Sequence, residues 1–409
     1  DALDGKRLRA IIEDCERNGV TLNMIPAVVE MLEREFQWRV REVDIQDLLR
    51  RDPVDLDVQA IGSLLTGRRV LVTGAGGSIG SEICRQALRF EPDSLVLLER
   101  AENSLFHVYE ELKRLNISTS LVPVIADVLD ETRLRNVFET HQPEIVFHAA
   151  AHKHVPLMES NPAEAIKNNV FGTHLLGELS DEYGVDRFVM ISTDKAVNPS
   201  SVMGASKQLA ERCIHAFHDK SQVKFVVVRF GNVLGSNGSV VPIFQEQIRR
   251  GGPVTVTHPE MTRYFMTIPE ASQLVLQAGA MGEGGEIFVL DMGDPVKIVD
   301  LAHDLIRLSG IEPDRMEIVF TGLRPGEKLW EELYFADERT APTSHSKVFA
   351  AYHRDEAAIT DFQQCAAALQ AALDDPDELR RQLKNFIPEY TGSGELSTET
   401  KRDDAAAAT

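Results

Sequence analysis

No run of apolar residues in this 409-residue sequence approaches the roughly 18 that a membrane-crossing helix requires, and nothing has the layout of a secretory signal. The residues given are therefore expected to make no membrane contact and to work in the cytoplasm. Cysteine is scarce, and Cys15, Cys84, Cys213 and Cys365 stand too far apart to form a metal or redox motif. They read as reduced thiols used for packing. Basic charge is in deficit, with 43 Lys and Arg against 64 Asp and Glu and a formal net charge of -21. So acidic a surface repels phosphate backbones, which argues against nucleic acid as a partner. Internal repeats are lacking. His152, Lys153 and His154 are adjacent, but no carboxylate or cysteine completes a ligand set with them, and no metal site is expected. The first residue is Asp1 rather than Met, so the sequence reads as part of a longer or processed chain.

What is present is enough length for more than one domain, and a regular alternation. The runs 70–73, 94–98, 121–125, 144–148, 187–191 and 224–228 are short and nearly uniformly apolar, with helix-length amphipathic segments between them. Strands buried on both faces by crossover helices have this pattern, so the expected fold class is α/β with a doubly wound parallel sheet of the Rossmann type. Beyond Gly231 the alternation loosens into short strands, helices and Gly/Pro turns. The chain divides on this reading into an N-terminal accessory segment (1–66, with a strand at 20–25), a nucleotide-binding domain (67–235), a smaller substrate lobe (236–352, with returns to the parallel core), a helical segment (353–390) and a disordered tail (391–409).

The first strand runs into Thr73-Gly74-Ala75-Gly76-Gly77-Ser78-Ile79-Gly80 and then into a helix. Glycines at 74, 77 and 80 permit a tight turn, close approach of the backbone at Ser78 and Ile79 to a pyrophosphate, and close packing of helix on strand. A glycine pattern alone says little; between a strand and a helix it has the context the motif requires. About 20 residues further on, Glu99 ends the second strand where an acidic group binds adenosine ribose hydroxyls, which favours NAD over NADP. Arg100 beside it is the reservation, since a guanidinium suits a 2′-phosphate. Asp127 is placed either to contact adenine, with Val128, or to cap a helix. Ala149 and Ala150, after the fourth strand, complete the expected cofactor contacts.

The fifth strand ends in Ile191-Ser192-Thr193-Asp194-Lys195, followed by Ser201-Val202-Met203-Gly204-Ala205-Ser206-Lys207. With the glycine loop, these segments resemble extended short-chain dehydrogenases/reductases. Within them the sequence is most similar to the large, normally membrane-anchored bacterial UDP-N-acetylglucosamine 4,6-dehydratases of polysaccharide and protein-glycan synthesis. The similarity runs from near residue 68 to near residue 352 and includes 148–156, 168–173, 229–235, 262–266 and 323–328. It implies an NAD-dependent lyase that takes a UDP-N-acetylhexosamine to a UDP-2-acetamido-2,6-dideoxy-4-ketohexose. It also implies a homo-oligomer paired through helices near 163–182 and 201–218, and a full-length form anchored at the cytoplasmic face of the inner membrane.

Most of that superfamily has tyrosine where this chain has Met203, and a thioether is no useful proton acceptor. The large dehydratases carry methionine there too, so the resemblance implies a redistributed role. In the reaction, hydride leaves C4, a base takes the acidified C5 proton, an acid helps the C6 hydroxyl depart, and hydride returns to C6. Asp194 and Lys195 supply an acid/base pair at the end of a rigid strand, with Lys195 assigned the C5 proton. By resemblance, Lys207 holds the nicotinamide ribose and Thr193 bonds O4 of the sugar. Lys153, Asn169, Asn232, Arg263, Arg324 and Glu327 are the expected substrate contacts, the two arginines on the diphosphate that a guanidinium fork fits. Two other readings stay open: a 4-epimerase, which needs only reversible oxidation at C4, and an inactive nucleotide-binding scaffold, suggested by Met203.

Overall fold

The computed structural model describes residues 54–115, 118–218, 220–336, 338–352 and 362–392, and before them residues 11, 14, 15, 18, 20, 23, 24, 41, 42, 45–49 and 51. Two compact units emerge. The first comprises Leu56–Phe230, Ser272–Asp291 and Leu323–Thr409, and the second Asp1–Asp55, Gly231–Ala271 and Met292–Gly322.

The first unit is built on a nine-stranded sheet. Its strands are β1 (Arg69–Thr73), β2 (Ser94–Glu99), β3 (Ser120–Ile125), β4 (Ile145–His148), β5 (Arg187–Thr193), β6 (Lys224–Phe230), β7 (Ile287–Leu290), β8 (Arg339–Pro342) and β9 (Val348–Tyr352). They lie in the order β3-β2-β1-β4-β5-β6-β7-β9-β8. From β3 to β7 every pairing is parallel, and β9 runs antiparallel to both of its neighbours. The six apolar runs of the sequence are β1 to β6. They are strands because Val, Ile, Leu and Phe fill both faces: Val70, Leu71, Val72, Val146, Phe147 and Val189 are wholly buried. The order reverses between β1 and β4, and ligands of such sheets bind at the carboxyl ends of the strands beside that reversal.

Helices α1 (Ser78–Leu88), α2 (Gly172–Glu182) and α3 (Val202–His218) flank the sheet, and α4 (Phe362–Ala371) and α5 (Pro376–Phe386) close the chain. Every residue of α3 from Val202 to Ile214 is buried. Ala210 and Ile214 join the core around the sheet, while Met203 and Leu209 join a second core with Cys365, Leu369, Leu379, Leu383 and Tyr390. Arg212 fastens the arrangement, donating to the Phe386 carbonyl at 2.8 Å and to the Glu389 carboxylate at 3.0 Å. The face of α3 that carries Met203 and Leu209 is thus covered by the chain's own C-terminal helices. An apolar helix face needs a cover, and here α4 and α5 provide it.

Within the expected lobe at 236–352, residues 272–291 and 323–352 belong to the sheet unit, where they supply β7, β8 and β9. The accessory segment also divides, with 56–66 in the sheet unit and the described residues up to Asp55 in the second. Within the second unit, Asn23–Met24 pairs antiparallel with Arg41–Glu42, a short strand inside the expected 20–25 run. Three more strand pairs stand there: Val254–Val256 with Ile318–Phe320, Thr262–Arg263 with Val296–Lys297, and Asn232–Val233 with Phe265–Met266. Arg51 grips both oxygens of Glu270 at 2.8 Å. The expected tail from 393 on lies outside the described residues. Among the described residues, no helix is long and apolar enough to cross a membrane, and no group of His, Cys, Asp and Glu is arranged to hold a metal.

Candidate active site

The glycine loop joins β1 to α1 at the reversal of strand order. Gly74 has a φ of +66°, and a Cβ there would stand 2.7 Å from the Ala150 nitrogen; one on Gly80 would stand 2.1 Å from the Gly74 carbonyl oxygen. Only glycine lets the loop lie this close to the end of β4 and to its own helix. The N-cap of α1, Gly77, brings no side-chain cap, the arrangement in which a helix N-terminus receives an anion through Ser78 and Ile79. Glu99 is oriented beside the loop, accepting from the Gly76 N–H at 3.1 Å and from the Ala101 N–H at 2.9 Å. Arg100 faces Asp127, Nη1 to Oδ2 3.6 Å, and Asp127 also accepts the Leu129 N–H at 3.0 Å. Val128 is buried beneath Gly172.

Behind the loop runs a buried hydrogen-bond chain that the sequence reading did not anticipate. The Thr173 hydroxyl donates to the Asn169 carbonyl at 2.7 Å, so it can only accept from His148 Nε2, 2.9 Å away. His148 Nδ1 then accepts from the Thr73 hydroxyl at 2.8 Å. Burial, and after it the charge of Lys207, push the His148 pKa down to about 3, and the ring is neutral. Asn169 sits in a π-helical turn, Ile166–Phe171, wholly buried. Its Oδ1 accepts the His152 N–H at 2.8 Å, and its Nδ2 donates to the His152 carbonyl at 3.0 Å and to Ser206 Oγ at 2.9 Å. The amide makes the backbone bonds its mid-helix place suggests. Both ends of the amide are engaged within the protein, and the side chain has no exposed surface.

β5 ends at Thr193 and turns at once into a short 3-10 helix, Asp194–Ala196. Thr193 Oγ1 donates to Asp194 Oδ1 at 2.9 Å, and Lys195 Nζ donates to the same oxygen at 2.9 Å. Asp194 is wholly buried, and its Oδ2 has no hydrogen-bond partner among the described residues. Leaving a buried carboxylate oxygen unsatisfied is costly. On its other side Lys195 Nζ has Glu331 Oε1 at 4.0 Å. Lys153 is exposed, yet burial around its amine and the charge of Lys195 lower its pKa. The turn rests on α3 at Gly204, where a Cβ would meet the Lys195 carbonyl oxygen at 2.2 Å. Met203 is buried in that helix, one turn before Lys207. Lys207 Nζ donates to the Ile191 carbonyl at 2.8 Å, and burial lowers its pKa to about 8 against the opposing pull of Glu211.

Three charged residues under this turn escaped the sequence reading. Glu211 accepts from Ser192 and from Arg229, whose guanidinium also reaches Glu338 at 2.8 Å. All three side chains are buried, and burial raises the pKa of Glu338. An arginine inside an apolar strand run was the available signal, because a buried charge requires partners. Glu331 was missed too. It belongs to the segment carrying Arg324 and Glu327, which pair with each other at 2.9 Å and leave Arg324 57% exposed. Lys328 ties the segment to the loop after Lys195, donating to the Val197 carbonyl at 3.0 Å, and Ser200 donates to the Gly326 carbonyl at 2.9 Å. In the second unit, the Asn232 N–H donates to the Tyr264 carbonyl at 3.0 Å, and the buried Arg263 donates to the Thr262 carbonyl at 2.7 Å.

The family model described as "Polysaccharide biosynthesis protein" matches residues 70–353, from β1 to the end of β9. The chain belongs to the polysaccharide biosynthesis protein family. Its relatives in sequence include the capsular polysaccharide biosynthesis protein CapD of Staphylococcus aureus, 55% identical over 350 residues that make up 85% of this chain and 58% of that protein. The chain thus spans little more than half the length of that relative. A UDP-N-acetylglucosamine 4,6-dehydratase (inverting) of Campylobacter jejuni is 33% identical over 67% of this chain and 80% of its own. A UDP-glucose 4-epimerase of Rickettsia bellii is 32% identical over the same shares. Among solved structures, Pen from Bacillus thuringiensis aligns with a TM-score of 0.65 and 33% identity over 70% of this chain and 89% of its own. The mostly parallel Rossmann sheet of extended short-chain dehydrogenases/reductases is the family's fold.

Proposed function

We propose that the chain is an NAD-dependent 4,6-dehydratase that converts UDP-N-acetylglucosamine to a UDP-2-acetamido-2,6-dideoxy-4-ketohexose for surface-glycan synthesis. The observation that carries this reading is the end of β5, where Thr193 and Lys195 both donate to one oxygen of the buried Asp194. The loop fits a dinucleotide: glycine at 74 and 80 lets it pack directly against the end of β4 and against its own helix, which leaves the N-terminus of α1 facing the end of the sheet. Ser78 and Ile79 would hold the pyrophosphate, Glu99 the adenosine ribose and Lys207 the nicotinamide ribose. When bound, the cofactor takes up a hydride from C4 and gives it back at C6.

The protein's own groups then move the protons. The Thr193 hydroxyl accepts the O4 proton while passing its own to Asp194. Asp194 protonates O6 as water departs. Lys195, in its neutral form, takes the C5 proton and later returns one to C5. Arg263, Arg324 and Asn232 are assigned to the diphosphate and sugar.

Similarity at nearly equal identity to an epimerase supports a second reading, reversible oxidation at C4 alone. Asp194 and Lys195 would then have no proton to move at C5. Incubation with UDP-N-acetylglucosamine and a trace of NAD, followed by mass measurement of the product, separates the two. Loss of one water is expected; an isomer of unchanged mass would leave the epimerase.

A further inference from the structure

Lys195 meets charge from several elements: Asp194 on its own turn, Lys153 after β4, and Glu331 of the 323–332 segment. Lys207 of α3 donates to the Ile191 carbonyl, and Lys328 and Glu332 pair with each other. Glu332 accepts from Asn198 Nδ2 at 3.2 Å and from Lys328 Nζ at 3.1 Å. With the bonds of Lys328 and Ser200 to the chain on either side of Asn198, these contacts fix the segment to the reactive loop. Glu331 is therefore held where it stands, its carboxylate 4% exposed and 4.0 Å from Nζ, across the amine from Asp194. A surface ion pair would lie in solvent with long side chains free to part. Glu331 is buried beside the group assigned the C5 proton.

We propose that Glu331 is a positioning residue for the base. With Asp194 it holds the Lys195 amine and aims the nitrogen at C5 of the sugar, and its charge acts on that amine. The proposal rests on the reading of Lys195 as the C5 base. A carboxylate beside an amine favours the protonated form over the neutral one. In return, Glu331 stabilises the ammonium that forms as the C5 proton arrives, the moment at which its charge matters most.

The test uses the full chain with NAD and UDP-N-acetylglucosamine, comparing wild type, E331Q and E331D in the pH profile of kcat, in KM, and in deuterium uptake at C5 from heavy water. In E331Q, kcat is expected to fall about 10- to 100-fold with KM changed far less. The limb of the profile governed by Lys195 should move to lower pH by about one unit or more, because a negative charge has been removed beside an amine. E331D, which keeps the charge, should hold that limb at the wild-type pH. A wild type that dehydrates the sugar while both variants share its limb overturns the role of Glu331 alone, whatever their rates. A wild type that neither loses water nor takes up deuterium at C5 overturns the proposed reaction and this role together. Thermal melts of the three proteins identify loss of fold, and E331D then still decides, since a limb displaced despite the retained carboxylate also contradicts the proposal.

Discussion

At the scale of single residues, the proposed roles move to Thr193 and Asp194 the hydroxyl proton that a tyrosine takes elsewhere in the superfamily. Met203 offers no proton acceptor, and Thr193 with Asp194 makes a two-member path that begins at O4. Lys195 stays available for C5. Lys195→Met should therefore still oxidise the sugar at C4, visible in a single turnover as absorbance of the reduced nicotinamide that rises and stays. Dehydration should fall by about 10²- to 10⁴-fold, the usual worth of a positioned base, and deuterium should no longer enter C5. Deuterium uptake at the wild-type rate would reassign the base. Below the turn, Glu211, Arg229 and Glu338 hold one another without water. Arg229→Met should cost roughly 3–5 kcal/mol in denaturant melts, since two buried carboxylates lose their partner. A loss under about 1 kcal/mol would show that these carboxylates are neutral or solvated in the folded protein.

At the scale of elements, the parallel strands were legible because burial on both faces leaves an unmistakable apolar run, as at β4 and β6. β7 was not, since Ile287–Leu290 follows a glycine turn that reads equally well as part of the smaller lobe. Charge inside apolar text was also legible only in part: Lys207 stood out by its spacing, whereas Glu211 and Arg229 needed the contact between α3 and β6 to explain each other. The arginines of the diphosphate motifs differ in setting, Arg263 buried and Arg324 mostly exposed, a contrast spacing cannot supply. One close approach is testable directly. Gly204→Ala places a methyl group 2.2 Å from the Lys195 carbonyl, so it should destabilise by about 1–3 kcal/mol and lower kcat by displacing the turn. Gly62→Ala, in the helix Val58–Leu65 with its nearest contact at 3.8 Å, should stabilise by about 0.5–1 kcal/mol. Equal effects of the two on the melting temperature would contradict the packing described for α3.

At the scale of the whole molecule, the last described helices are part of the core that backs the reaction site. Leu379 of α5 is wholly buried in the same cluster as Met203. Leu379→Ala should cost about 2–5 kcal/mol, and a loss below about 1 kcal/mol would mean that α5 is only loosely attached. The joined hydrogen bonds of Thr193, Asp194 and Lys195 have one more consequence. On the roles proposed for them, the proton that leaves O4 departs on O6, and the one taken from C5 has a replacement waiting on the same nitrogen. Each turnover then begins and ends with the protein in one protonation state, and it draws no acid or base from the surrounding solution. Such a site can remain shut from the arrival of the sugar to the end of the chemistry, and the only small molecule it has to release is the water it has made.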